Sequence, residues 1–525
     1  MSTLSKAARV VQVTTGVIMN RTIPIAIAAL VTAAFLAPAA SASATDLCGV
    51  VVTTPGTSIV VTEDLHCAGS GITVRANNVT IDLAGHTIYG SGSDDADPIL
   101  GFPAGVVVYG ATNTQVRGGT LTGFAQGMTV MRSTVTTVQN LTINGTKHDG
   151  MGLTDSSGVS LSNLNLTGLG SDWYPATGIV GTRVTGFSID TSVISQWSGD
   201  GLFMDSANGF TFARTSVLNN VGTGISLWQP RGRVLIDQAT AAVNDDGIAI
   251  AHSSTSGTVT ISNSTIRNNV ENGLHTTNAT NARVVNVTAN NNGSEGIWMD
   301  SGIDASYGGD IPFTATVQGS TANGNRHSGI SMSFAGRWTL TGNHTEGNGE
   351  SGFSFWGGAA LLSGNTSKGN TENGFTWYEG SHGTSTGDVA SSNHGHGVLV
   401  NTNGKDAVRM LNASVTSNRF TGVLVSSGIG QLIGGSFAYN GSDGIRASHG
   451  YVNADGVTAF KNAGSGIAFL PSSGGAVRHV TSSKNGRYGI CITKGLEVTD
   501  VPPHVLLSNG IAPRGVRCTA TILGS

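Results

Sequence analysis

The apolar positions of this chain come in short alternating runs, each led by a glycine, as in Gly224-Ile-Ser-Leu, Gly296-Ile-Trp-Met and Gly397-Val-Leu-Val. Apolar, free, apolar is the two-residue period of a half-buried strand. It predicts that the residue after each glycine points into a core, while those two and four places after the glycine point outward. The runs return about every 23 residues, from Gly201 through Gly224, Gly247, Gly273, Gly296, Gly329, Gly352, Gly374, Gly397, Gly422, Gly444 and Gly466 to Gly489, usually with an asparagine four places before the glycine. Weaker copies at Gly178, Gly152, Gly127 and Gly105 carry the register back towards the N-terminus. Such a repeat marks a solenoid whose coils each hold two or three short strands. Gly and Asn serve turn positions that need positive φ, and the asparagines stack as an internal ladder. Long runs of helix formers are missing, and with charged residues at 11% against 76 glycines the repeat is β rather than helical.

The segment Asn78-Val-Thr-Ile-Asp-Leu-Ala-Gly-His-Thr-Ile-Tyr-Gly90 resembles an opening coil of secreted bacterial β-helix proteins. With the glycine series, nearly the whole mature chain resembles the pectate-lyase-like right-handed parallel β-helix superfamily. That resemblance implies an all-β fold, a single-stranded right-handed parallel β-helix of about 17 coils. It leaves the reaction open, because the superfamily includes lyases, glycosidases, esterases, epimerases and adhesins. Asn244-Asp245-Asp246 and Gly395-His396-Gly397 resemble the polygalacturonase motifs, but they fall six coils apart and read as ordinary variants of the repeat.

Residues 1–44 read as a secretory signal peptide, with Arg21, an apolar stretch from Ile23 to Leu36 and a cleavage site after Ala44. The mature chain, 45–525, is then one extracellular β-helix domain without a membrane anchor. Its four cysteines form two close pairs at the ends, Cys48 with Cys67 and Cys491 with Cys518, as expected of disulfides that staple end coils. A net charge of -4 offers no basic stripe for nucleic acid or an anionic membrane. The expected partner is a polysaccharide, and the expected state a monomer.

Read coil by coil, the outward positions give Phe203 and Asp205, Ser226 and Trp228, Ala249 and Ala251, His275 and Thr277, Trp298 and Asp300, Ser331 and Ser333, Ser354 and Trp356, then Thr376 and Tyr378, with His252 and Glu379 one place further on. Flat aromatic platforms beside hydroxyl-binding side chains suit sugar rings, so Trp228, His252, Trp298, Trp356, Tyr378 and Glu379 are the candidate substrate-binding residues. Gly296 to Gly329 spans 33 residues, and the surplus, 301–312, is an inserted loop where a binding wall is expected. Asp205 and Asp300 lie four coils apart, too far to act as a glycosidase pair. Asp300 therefore takes its partner from Asp304 or Asp310 in the loop, with His275 one coil below as a base or an orienting group. Turn acids form a second cluster, Asp245, Asp246, Glu271, Glu295, Glu350 and Glu372, read as solvated turn residues. The leading reading is a secreted enzyme that cleaves glycosidic bonds. Hydrolysis is favoured over β-elimination because this face carries almost no Lys or Arg, and it requires no cofactor. A calcium-using polyuronate lyase or C5-epimerase is the alternative, and a non-catalytic glycan-binding spacer the third reading.

Overall fold

The computed structural model describes residues 47–93, 101–169, 175–253, 257–278, 281–300, 313–334, 336–403 and 406–515. The chain divides into a unit Met1–Ala40, which lies outside the described residues together with the rest of the expected signal peptide, and a unit Ser41–Ser525 that holds the solenoid. Among the described residues every regular element is a strand.

One coil shows the plan. Ile225–Trp228 follows its glycine, Arg231–Asp237 and Thr240–Ala242 complete the turn, and Ile248–Ala251 opens the next coil. Equivalent strands of successive coils pair in parallel register, so the glycine-led strands alone build one sheet of 20 strands, with the second and third strands stacked in the same way. Seventeen of these strands belong to the glycine series, and Val50–Val52, Ile72–Val74 and Ala512–Gly515 extend it at the ends. Ile225, Leu227, Ile248, Ile250, Ile297 and Met299 are buried as the alternation predicts. Each such side chain contributes about 1.5–3 kcal/mol of transfer free energy. In the later coils the core becomes aromatic, with Phe353 stacked on Phe375 at 4.7 Å and Phe355 against Trp377 at 4.6 Å.

The anchor glycines have a different cause from the one their sequence suggests. None of them from Gly201 to Gly489 has a positive φ. A Cβ on Gly224 would instead lie 2.6 Å from the Gly247 carbonyl oxygen and 2.7 Å from the Asn244 amide nitrogen, and one on Gly422 would meet Gly444 and Asn440 in the same way. Close approach between coils excludes a side chain, and this ties each glycine to the ladder asparagine of the next coil. From Asn220 to Asn509 that ladder is continuous. Asn348, for example, donates Nδ2 to Asn370 Oδ1 at 2.9 Å, and Asn370 donates to Asn393 at 2.9 Å. The same oxygen accepts the backbone N–H of the preceding asparagine, at 3.0 Å for Asn348. The positive φ falls on the residue before the ladder, at Asn219, Asn268 and Asn291. A second, shorter ladder runs through Asn343 and Asn365 to Asp388, whose buried carboxyl accepts from Asn365 and Ser385.

Cys48 and Cys67 are disulfide-bonded across the first coils. Cys491 is also disulfide-bonded, and Cys518 lies outside the described residues.

Replacing Asn370 with Leu would strip partners from the Asn348 amide and backbone N–H inside a closed core. A destabilisation on the order of 3 kcal/mol is expected, since each orphaned buried group costs about 1–3 kcal/mol. Calorimetric melting of the variant beside Asn370→Ser measures it, and equal midpoints for Leu and wild type would contradict the ladder's role.

Candidate functional site

Parallel register carries the outward positions of the first sheet into two straight rows. One runs Asp205, Trp228, Ala251, Thr277, Asp300, Ser333 and Trp356, and the other Phe203, Ser226, Ala249, His275, Trp298, Ser331, Ser354 and Thr376. Tyr378 follows Trp356, its ring stacked on the indole at 4.0 Å. All the aromatic residues expected on this face are therefore on it. Neighbouring strands are about 4.8 Å apart, which puts Trp228 and Trp356, five coils apart, roughly 24 Å from each other.

The rings are arranged in pairs on adjacent coils. Trp228 meets His252 edge-on at 4.6 Å, His275 lies flat on Trp298 at 4.2 Å with a 3° interplanar angle, and Trp356 stacks on Tyr378. Between the second and third pairs the row is floored by serines that the alternation left unremarked. Ser331, Ser333 and Ser354 are buried although they point away from the core. The indoles lie over them: Trp298 donates Nε1–H to Ser333 Oγ at 3.2 Å, and Trp356 donates to Ser354 Oγ at 3.1 Å. Small hydroxyl residues there allow the indoles of Trp298 and Trp356 to lie down, with 45% of the Trp356 surface still exposed; Trp228, further along the row, is 42% exposed.

His275 is a partly buried imidazole in the middle of the groove. Burial beneath the indole holds its imidazole below the usual histidine range, against the pull of Asp246, Asp300 and Glu295. Its Nε2 lies 3.0 Å from Thr277 Oγ1. Asp300 ends the strand Ile297–Asp300 one coil above Thr277, close enough to act on His275 electrostatically. Asp304 and Asp310 lie outside the described residues. Glu379 is exposed at the end of the face and accepts from Asn403 at 3.1 Å.

The turn acids line the edge of the same sheet, and they divide into two rows. In the first, a side chain caps the next coil. Asp200 Oδ1 accepts the Thr223 N–H at 2.8 Å, Asp246 Oδ1 accepts from Asn272 at 2.8 Å, and His396 Nδ1 accepts from Thr421 at 3.2 Å. Asp246 and His396 thus do the same backbone work, which explains why motifs resembling a polygalacturonase site stand six coils apart. Asp149, from the polar triplet Lys147-His148-Asp149, caps Thr177 in the same manner. In the second row, Glu271 follows Asp245 and Glu372 follows Glu350 on successive coils. Glu372 stands above the usual carboxylate range because of burial first and Glu350 second, and Tyr378 is raised by burial and then by both glutamates. The sequence predicts these acids as solvated turn residues and gives no direction for them. Only the register shows Glu350 and Glu372 at the border of the Trp356–Tyr378 pair. Among the described residues no group of three or more His, Cys, Asp or Glu is arranged to hold a metal ion.

Asp200 makes the electrostatics testable. Burial, with Asp245 and Asp246 nearby, pushes its carboxyl up to about 6 against the 3.8 of an exposed aspartate, despite the Thr223 hydrogen bond. The folded state holds this proton longer than the unfolded chain does, so its contribution to stability is full below about pH 4 and is lost as pH rises through about 6. Asp200→Asn keeps the oxygen that caps Thr223 and removes the charge. It should stabilise the protein by about 1–3 kcal/mol at neutral pH and by almost nothing near pH 4, as read from melting curves at the two pH values.

A family model described as "Right handed beta helix region" matches residues 171–310, 300–433 and 390–500. No curated protein matches the chain. Among solved structures the chain is similar to the A-module of the mannuronan C-5 epimerase AlgE6 of Azotobacter vinelandii, with 16% identity over 59% of this chain and 90% of that one and a TM-score of 0.45. It is similar also to a family 28 exopolygalacturonase of Yersinia enterocolitica, with 12% identity over 59% and 72% and a TM-score of 0.36. A third similarity is to an alginate lyase from Paenibacillus sp., with 14% identity over 59% and 89% and a TM-score of 0.25. Likeness at these levels bears on the fold alone.

Proposed function

The chain belongs to the right-handed β-helix family, and from that premise we propose that it is a secreted carbohydrate-active enzyme that hydrolyses glycosidic bonds of a polysaccharide along the groove of its first sheet. One observation carries the reading. Three ring pairs, Trp228/His252, His275/Trp298 and Trp356/Tyr378, follow one another along the axis, with carboxylates beside them and no Lys or Arg in either outward row from Phe203 to Thr376. Sugar rings dock on indole faces, and carboxylates and imidazoles take their hydroxyls. A row without cations, edged by Asp245, Glu271, Glu350 and Glu372, would repel a polyuronate and favours a neutral chain.

In this reading Trp298 is the platform for the sugar at the cleavage point and Asp300 supplies the proton to the leaving oxygen, with Asp304 or Asp310 as the second carboxylate. His275, kept neutral by burial, orients the acid and holds a substrate hydroxyl. Export by the N-terminal segment 1–44 accords with the Cys48–Cys67 disulfide, which is at home in an oxidising compartment.

The test is a panel of neutral and acidic polysaccharides assayed for new reducing ends and for the ultraviolet absorbance of unsaturated uronates. Asp300→Asn and His275→Gln should each lower kcat by about 10²–10⁴-fold with little change in melting temperature. Trp298→Ala should act mainly on KM. Unsaturated products, or activity lost to a calcium chelator, would replace hydrolysis by elimination or epimerisation. Glycan binding without turnover on any polymer would make the protein a binding module.

A further inference from the structure

Outside the groove, three residues that suit the repeat poorly stand in the turn just before the long asparagine ladder. From Asn219 onwards that row holds a left-handed backbone conformation in every coil, filled by Asn219, Asn268 and Asn291, then Gly324, Gly347 and Gly369, then Ser392 and Ser417, with Val243 the one earlier exception to small or amide residues. The next three coils place Tyr439, Lys461 and Lys484 there, at φ values of 58°, 51° and 56°. Large side chains in this conformation are disfavoured, and the fold does not need them, since serine serves one and two coils before Tyr439 and glycine three to five coils before it. All three are exposed, and each is followed by a ladder asparagine, Asn440, Asn462 or Asn485, which fixes its position.

Their side chains converge. Lys461 Nζ lies 5.4 Å from the Tyr439 ring centre and 5.2 Å from that of Phe460, and Lys484 Nζ lies 5.7 Å from that of Phe460. Two ammonium groups are thus held by one aromatic ring on consecutive coils. Among the described residues neither lysine forms an ion pair with a carboxylate. The surroundings share this sign, because residues 406–515 carry nine Lys and Arg against five Asp and Glu, a local excess of +4 in a chain of net charge -4.

We propose that the row Tyr439, Lys461 and Lys484 is a binding site for an acidic polysaccharide, separate from the groove and independent of what the groove does. Cation–π contacts hold the ammonium groups in place and leave their outward N–H donors to carboxylates carried on successive sugars. A neutral-chain groove and an anion-binding edge on one solenoid would keep an extracellular enzyme on a charged matrix while it works on another polymer. Phosphate-bearing chains such as nucleic acid fit less well, because base stacking needs open ring faces and here the rings are engaged by the lysines.

The full-length protein on affinity gels containing polygalacturonate, a neutral glucan or single-stranded DNA decides the matter. Wild type should be retarded by polygalacturonate alone, with a retardation that falls as salt rises. Lys461→Gln/Lys484→Gln should weaken that binding roughly tenfold or more, Lys461→Arg/Lys484→Arg should restore it, and the melting temperature should be unchanged in both. Absence of retardation by polygalacturonate, equal retardation of the Gln variant, or equal retardation by DNA would each overturn the proposal.

Discussion

The contact on which this architecture depends is the one between an amide and a glycine. Each ladder asparagine donates its Nδ2–H and its backbone N–H to the Oδ1 of the next, while lying against the anchor glycine of the coil before it. The interaction fixes spacing along the axis and rotation about it together. A coil displaced by one residue would lose both hydrogen bonds and drive a Cβ into a carbonyl. Strand pairing alone gives parallel coils, but the ladder gives each coil the same phase. Straight rows of side chains on the outer face are the consequence.

Straight rows convert a spacing of about 4.8 Å into chemistry. Aromatic residues on adjacent coils come within stacking distance with no dedicated packing, which is why the rings of this face occur in twos. The same spacing brings like charges together at the turn edge, as with Glu350 beside Glu372. Where a side chain can accept the next coil's N–H, as at Asp200, Asp246 and His396, the fold uses that polarity for itself. Where it cannot, the polarity remains available to a ligand. This distinction separates caps from candidates more cleanly than residue type does.

The period, the inward and outward alternation and the membership of both outer rows were all legible in the sequence, because a β-solenoid writes its backbone register into every coil. Trp228, His275, Trp298, Asp300 and Trp356 fall where counting from the glycines puts them. The reason for the glycines was not legible, since close approach and positive φ call for the same residue. Nor was the burial of Ser331, Ser333 and Ser354, which depends on indoles two residues or one coil away folding down over them. The turn acids stand in the edge turns where the sequence puts them, but which way they face was not legible. Turns have no two-residue period from which a direction can be read, so only the assembled coils show Glu350 and Glu372 bordering the groove. The insertion at 301–312 breaks the period altogether, and counting ends where the repeat does.

A repeat also supplies its own reference state. For any position, the other coils show which residue suffices to fold, and a costlier choice needs a separate cause. Asparagine, glycine or serine suffices before the ladder in most coils, yet Lys461 and Lys484 stand there on two successive coils. Alanine suffices in the two outer rows at Ala249 and Ala251, yet His275 and Trp298 occupy the next two coils of the row of Ala249, and Asp300 stands two coils on in the row of Ala251. The cost differs between the two places, being backbone conformation at the lysines and the burial of an imidazole at His275. Both depart from what stacking requires, and they do so on different faces of the solenoid. Two independent departures of this kind fit a protein that meets its polymers at two sites better than one whose rod is only a spacer.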